Sequence, residues 1–374
     1  MARIAVDARI SRSWSSGIGV YTLRLLEALA EQASGHRYLL ITAVGADAPP
    51  VSPDAVLEQV TMPYSVGGLG QHLRMPGELR SLDIDLLLTT HPASSPLLPP
   101  CPHLVIVHDL IPLTQPRFYS VAKRLYYRTV IPWSLRSAAR VLVDSQSTRR
   151  DCERLLGIQA HRIQVIYGGV GEQFVPQDRA ATGATRPYIL YVGNKRPHKN
   201  VDRLLEAFAL LNGADDPGCD LIIAGRDHPG DVETDSRRLR DLARRLGLNG
   251  RVRFAGEISG EKLPALYAGA EVFAYLSSYE GFGLPPLEAM ACGTPVIALN
   301  TSSLPEVVGD GGFLLDTAAP AVVARHLCAL LTDRSLRARL SERALRQARK
   351  FSWEKTATVV SEEIEAALAL GNAA

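Results

Sequence analysis

The stretch EVFAYLSSYEGFGLPPLEAMACGTPVIAL, Glu271 to Leu299, holds a strand, a turn, a helix and a second strand in one continuous run. EVFAYLS is a short apolar segment of the kind that forms a buried strand. GFG follows as a turn. Pro285 and Pro286 suit the first turn of a helix, where their missing N–H groups cost little. LEAMAC continues that helix, Gly293 fits its carboxyl-terminal cap, and TPVIAL is the next strand. The stretch also sets Glu280 and Glu288 eight positions apart, on either side of the turn and the helix start.

The same alternation runs through the rest of the chain. RIAVDA, YLLITAV, IDLLLTT, HLVIVHD and RVLVDS read as buried strands in the first half. YILYVG, CDLIIAG, VRFAG, EVFAYLS and TPVIAL read as strands in the second. Amphipathic stretches such as VYTLRLLEALAEQ and VDRLLEAFALL separate them, with apolar residues at helical spacing. Strand–helix alternation predicts parallel sheets covered by helices on both faces. Gly171 to Leu190 is polar, aperiodic and contains Gly, Pro and Thr, as expected of a linker between two halves. After Ala319 the pattern is helical to the end. The expected fold is therefore α/β, with two doubly wound domains facing a central cleft where ligands bind beyond the strand ends.

Bulk properties narrow the class. The chain has 374 residues, long enough for about two domains, and its 46% hydrophobic and 21% charged content is that of an ordinary globular protein. A net charge of +2 gives no reason to expect a nucleic-acid partner. Cys101, Cys152, Cys219, Cys292 and Cys328 are scattered and include no C-x-x-C, which argues against a disulfide framework or a zinc cluster and fits a reducing cytoplasm. MARIAVDARI enters a strand directly without a signal-peptide layout, and no run reaches the ~18 to 20 apolar residues of a membrane span. The expected location is cytoplasmic, at most on the inner face of the membrane. That qualification comes from Arg117 to Arg150, where eight basic residues stand against the single acid Asp144, interleaved with tyrosines and Trp133. The segment is either a solvated helix face or a patch facing anionic lipid head groups.

Four places carry chemistry. Around Glu280 and Glu288, a glycine-containing turn into a helix start is an anion site, while carboxylates there are suited to accept from sugar or ribose hydroxyls. YVGNKRPHKN, Tyr191 to Asn200, ends a strand with Gly193 and brings Lys195, Arg196 and Lys199 to a helix start, enough charge to balance a diphosphate without a metal ion. His108 and Asp109 end the strand HLVIVHD, and a histidine there can hydrogen-bond or move a proton. Gly17 and Gly19 in SSGIGVYTLRLL lead into the first helix, a second helix start suited to phosphate.

These motifs resemble the glycosyltransferases with two Rossmann-like domains (the GT-B fold), in the large retaining family numbered four. The resemblance runs almost end to end, through the glycine turn, the HD pair, VIYGGVGEQFVP, the basic loop, IIAGRD, VRFAGEIS, the Glu-x7-Glu stretch and LPEVVGDGG. It implies an acceptor-binding domain over residues 1–175, a donor-binding domain over 176–350, and a helix over 351–374 that crosses back to the first domain. It implies a hexosyltransferase that needs no metal or other cofactor. Glu280 would contact the transferred sugar and Glu288 the ribose, with Gly281, Phe282, Gly283 and Leu284 facing sugar and diphosphate. Lys199 and Arg196 would balance the leaving diphosphate, and His108 would hydrogen-bond the sugar. Gly193 and Asn194 would border the donor, Gly17 and Gly19 would lie close to its diphosphate and to the acceptor, Phe254 to Ile258, with Glu257 and Ile258 among them, would flank its base, and Leu304 to Val307 its ribose-phosphate side. Asp109 and Tyr21 would meet the acceptor. Many relatives carry an arginine where this chain has Asn194, and Arg196 is expected to take over its role.

The run HDLIPLTQPRFYS is most similar to members that transfer mannose from GDP-mannose, so the expected partners are that donor and a lipid-linked or oligosaccharide acceptor in surface polysaccharide synthesis. A UDP-sugar transferase, a nucleotide-sugar epimerase or hydrolase, and a non-catalytic sugar-binding subunit are the competing readings. Asp83-Ile84-Asp85 has the spelling of a metal-binding D-x-D but precedes a buried strand, and SGIGVYT lacks the third glycine of a dinucleotide fingerprint.

Overall fold

The computed structural model describes residues 1–11, 14, 16–32, 35–47, 58–178, 186–211, 218–226 and 235–371. The chain divides into two compact units, Met1–Gly169 with Ser352–Ala374, and Val170–Phe351.

The first unit is built on a parallel sheet of β1 (Arg3–Asp7), β2 (Arg37–Ala43), β3 (Glu58–Met62), β4 (Leu86–Thr89), β5 (His103–Val107), β6 (Arg140–Val143) and β7 (Ile163–Val165), in the order β3-β2-β1-β4-β5-β6-β7. β4 and β5 are buried along their whole length, which explains their unbroken apolar spelling: helices cover both faces. Val6 of β1 is in register with Leu40 of β2 on one side and Leu88 of β4 on the other. Strand order therefore reverses at β1, and the carboxyl ends of β1 and β4 flank a topological switch point. The terminal helix Trp353–Gly371 packs in this unit beside helix Gly17–Glu31, where Ser361 Oγ donates to Gln32 Oε1 at 2.7 Å and Gln32 Nε2 to Thr358 Oγ1 at 3.0 Å.

The second unit repeats the plan with β8 (Tyr188–Val192), β9 (Asp220–Ala224), β10 (Val252–Gly256), β11 (Val272–Tyr275), β12 (Val296–Leu299) and β13 (Gly312–Leu315), ordered β10-β9-β8-β11-β12-β13. Its reversal falls between β8 and β11. Glu271 to Leu299 forms β11, helix Leu284–Ala291 and β12, as its spelling predicts. Gly283 enters the helix at φ 119°, and a Cβ there would press to 3.3 Å from Leu304 Cδ2, so the turn requires glycine. At the end of β9 a Cβ on Gly225 would lie 2.1 Å from the Gly193 carbonyl oxygen, so this residue lets the loops after β8 and β9 touch.

Three strands go beyond the sequence reading: β3, β7 and β13. All three lie at sheet edges and are short or only partly buried, so their apolar signal is weaker than that of the inner strands. Of the expected linker, residues 179–185 lie outside the described residues, and its last residues already belong to β8. Asp85, from the D-x-D spelling, accepts the Arg3 N–H at 2.7 Å and ties down the start of β1.

Candidate active site

The switch point of the second sheet gathers Lys199, Glu280 and the start of the helix that carries Glu288. Tyr275 closes β11, and the loop after it carries Glu280 to the start of helix Leu284–Ala291. The loop after β8 runs through a 3-10 turn, Pro197–Lys199, to Asn200, which adopts φ 53°. Asparagine tolerates this left-handed conformation better than most residues. The two loops are sewn together: Asn200 Nδ2 donates to the Leu276 carbonyl at 2.8 Å, and Ser278 donates to the His198 carbonyl from its backbone N–H at 2.8 Å and its hydroxyl at 3.1 Å. Ser302 and Ser303 hold the far side, where Ser302 Oγ accepts the Glu280 N–H at 2.9 Å and Ser303 Oγ donates to the Phe282 carbonyl at 2.5 Å.

Inside this frame Lys199 and Glu280 form an ion pair, with side chains 8% and 12% exposed. The Lys199 ammonium also donates to the Tyr275 hydroxyl at 2.9 Å. Burial alone would raise the Glu280 carboxyl, but the charge and hydrogen bond of Lys199 outweigh it and hold the group below its ordinary 4.5. Burial, followed by the charge of Lys199, lowers neighbouring His198 to about 4, so its imidazole is neutral. Glu288, one turn into the helix, accepts from Tyr267 Oη at 2.8 Å.

The helix start differs from the expected anion cradle in one respect. Pro285 and Pro286 occupy its second and third positions and carry no N–H, and the Leu287 N–H is bonded to the Gly283 carbonyl. The positive end of the helix dipole remains, but the backbone donors available to an anion narrow to the loop residues and Leu284. The basic loop is narrowed likewise. Lys195 is 3% exposed and donates to the Gly225 carbonyl at 2.5 Å, so it braces the β8 and β9 loops. Asn194 Oδ1 accepts the Arg196 N–H at 3.4 Å, and its carbonyl accepts from Tyr191 Oη at 2.5 Å. Glu257 is engaged by Arg226 at 2.7 Å, beside Ile258 at the end of β10.

The first unit places His108 and Asp109 after β5, Asp144 after β6, and Gly17, Gly19 and Tyr21 on the first helix. His108 Nδ1 lies 2.6 Å from Asp144 Oδ2, and both residues are buried. Tyr21, 2% exposed on the first helix, sets its ring edge-on to His108 at 4.8 Å and to Trp353 at 4.9 Å, and donates to the Tyr167 carbonyl at 3.3 Å. Asp109 Oδ1 accepts the Ile111 N–H at 2.9 Å and so shapes the following helical turn. Gly17 begins the first helix, and the Gly19 N–H is already taken by the Ser16 hydroxyl cap at 3.1 Å.

The structure thus joins Lys199 to Glu280, and places Glu288, Gly281 to Leu284 and the Gly193–Arg196 loop in the same unit. His108, Asp109, Tyr21, Gly17 and Gly19 belong to the other unit. Sequence reasoning missed Tyr275, Tyr267, Asn200, Ser302 and Asp144. The one available signal for Asp144 was its isolation as the only acid in a basic segment, directly after a buried strand.

Residues 175–347 match the model for glycosyl transferases group 1, and residues 15–174 match that for Glycosyltransferase Family 4. O-antigen chain mannosyltransferase B of Escherichia coli is 36% identical over 260 residues, 67% of this chain and 67% of that protein. Serotype-specific mannosyltransferase WbdA of Escherichia coli is 31% identical over 69% of this chain, which spans about a third of it (32%). Anabaena Alr3699/HepE, solved in complex with UDP and glucose, shares the fold at a TM-score of 0.80 and 20% identity, over 98% of this chain and 100% of that one.

Proposed function

The chain belongs to the glycosyl transferases group 1, Glycosyltransferase Family 4, and on that membership we propose that it moves mannose from GDP-mannose onto an acceptor hydroxyl in surface-polysaccharide assembly. It is a transferase with the α/β GT-B fold of that family. The acceptor in this proposal is a lipid-linked or oligosaccharide chain, and the anomeric configuration is retained.

The observation that carries the proposal is the buried Lys199–Glu280 pair, anchored by Tyr275 at the switch point of the second sheet and next to the start of helix Leu284–Ala291. As the bond from the anomeric carbon to the diphosphate breaks, negative charge grows on the diphosphate and positive charge on the sugar ring. Lys199, Arg196 and the positive helix end stabilise the former, with dipoles fixed before the reaction begins. This supply of charge is the reason for proposing that no metal is required. Glu280, held ionised by Lys199, accepts from hydroxyls of the sugar, and Glu288, held by Tyr267, accepts from the ribose.

Mannose is favoured by the similarity to O-antigen chain mannosyltransferase B. The UDP bound by Anabaena Alr3699/HepE makes UDP the competing nucleotide. Melting the protein with UDP, GDP, ADP and TDP separates them, since a ligand that binds the folded state raises its stability by mass action. GDP is expected to raise the melting temperature most; stabilisation by UDP alone would overturn the GDP-mannose assignment.

We also propose contact with anionic membrane through helix Val121–Ser137. Val121, Leu125 and Trp133 are 68%, 57% and 59% exposed, on a helix that also exposes Lys123 and Arg128. Some basic residues of the wider segment are engaged within the protein instead. Arg140 pairs with Glu363 at 2.9 Å and Arg149 with Glu153 at 3.0 Å.

A further inference from the structure

We propose that Tyr275 is the positioning residue of Lys199: its hydroxyl accepts from the ammonium and bonds to the Glu280 carboxylate, closing a ring of three groups that aims the remaining N–H of Lys199 at the leaving diphosphate. This deepens the transferase reading above and rests on it for the identity of the substrate. All three residues lie in the second unit.

A buried ammonium has three N–H donors and no acceptor, so its direction is set by the acceptors around it. The Lys199 side chain is 8% exposed, and Glu280 takes one of its donors. The Tyr275 hydroxyl takes a second at 2.9 Å and is itself hydrogen-bonded to the Glu280 carboxylate. An ion pair with Glu280 alone would leave the ammonium free to turn about that one contact. Two acceptors, one at the end of β11 and one in the loop after it, fix two corners of the tetrahedral group and therefore the third. That third N–H has no acceptor among the described residues, which leaves it for an oxygen of the diphosphate.

Tyr275 is built to hold its hydroxyl still. It is 2% exposed, and its ring is stacked at an interplanar angle of 19° on Tyr191 of β8, at 5.9 Å, and on Phe273, at 5.8 Å. Phe273 precedes it by two positions and so shares its face of the strand. The loop after β8 closes over the stack, because a Cβ on Gly193 would lie 3.0 Å from Tyr191 Oη and 3.7 Å from Tyr275 Cε2. Burial, followed by the Glu280 charge, pushes the Tyr275 phenol well above 10, so the hydroxyl keeps its proton and serves as a fixed bridge and not as an acid. Phenylalanine would fill the same place in the stack, and Tyr275→Phe therefore removes the bridge while leaving the packing.

Two readouts on the full-length protein test this. In the transfer assay, Tyr275→Phe should lower kcat about tenfold or more while the donor KM changes less than about threefold, because the lost constraint matters most as charge grows on the leaving group. Its melting temperature should fall by less than about 4 °C, since the stack remains. Nitrogen NMR of the lysine side chains, without substrate, should show a Lys199 ammonium that exchanges its protons slowly with water, assigned by its absence from Lys199→Met/Glu280→Leu. In Tyr275→Phe that exchange should quicken by about tenfold or more, as one of two hydrogen bonds to a charged group is lost. A folded Tyr275→Phe enzyme with unchanged kcat overturns the proposal, as does a loss carried by the donor KM alone. A wild-type Lys199 ammonium that exchanges as fast as exposed lysines also overturns it, and this measurement serves if Tyr275→Phe does not fold. If the wild type transferred no sugar from any nucleotide donor, the transferase reading would fail while the exchange of the Lys199 ammonium stood or fell separately.

Discussion

At the scale of single residues, Lys199 and Glu280 are partners of each other before any ligand arrives. Removing one leaves the other buried and unpaired, so Lys199→Ala and Glu280→Ala should each lose about 3–5 kcal/mol of stability as well as activity. The double variant Lys199→Met/Glu280→Leu should regain much of that stability in denaturant melts and none of the transfer. Equal stability of single and double variants would show that the pair is not coupled. Because the folded-state value of Glu280 lies below 4.5, its contribution is present above pH 4.5 and fades as the pH falls through that lower value. Tyr267→Phe removes the donor to Glu288 and should raise the donor KM severalfold, by about 1 kcal/mol, with kcat little changed. A kcat loss at constant KM would place Glu288 at the chemistry instead. Glu280, Glu288 and Lys199 were legible because each sits at a marked strand-to-helix junction. Their tyrosine partners were not: Tyr275 spells as strand core, and its contact with Lys199 spans 76 positions, fixed only once β8 and β11 are neighbours.

At the scale of elements, the sequence shows the buried strands and hides the edges. β4 and β5 declare themselves by continuous apolar runs, whereas Glu58–Met62 is mostly exposed and spells like a loop. The end of β1 hides a further element-level device. Arg9, 1% exposed, binds Asp7 through Nε at 2.9 Å and Nη2 at 2.7 Å, and reaches the Tyr64 and Ser94 carbonyls and Gln71 Oε1. This one guanidinium fastens the loops after β1, β3 and β4 at the switch point of the first sheet. Arg9→Met strands the buried Asp7 carboxylate and should lower the unfolding free energy by about 3–5 kcal/mol. A loss below ~1 kcal/mol in urea melts would mean the loops hold without it. RIAVDARI offers Arg9 as an ordinary polar residue after a strand, and nothing local to it names partners 55 to 85 positions away.

At the scale of the whole molecule, two sheets share the inner order 3-2-1-4-5-6, and the second carries Lys199 and Glu280 on the loops beside its reversal. The alternation of strands and helices made this legible, and the family motifs made its purpose so. The return of Trp353–Gly371 to the first unit was not legible from periodicity, because an amphipathic helix does not state which neighbour it covers. The exposed stripe on helix Val121–Ser137 yields a prediction at the same scale. Leu125→Ser with Trp133→Ser should weaken binding to vesicles rich in anionic lipid, and raised salt should weaken it further. Undiminished binding would move the contact elsewhere. The most direct test of the central claim is the rate of mannose transfer from GDP-mannose to a lipid-linked saccharide acceptor, compared between wild type and Glu280→Gln. Transfer by the wild type and a rate lower by about 100-fold or more in the variant, with GDP still raising its melting temperature, is the predicted result. Equal rates in the two proteins would contradict it.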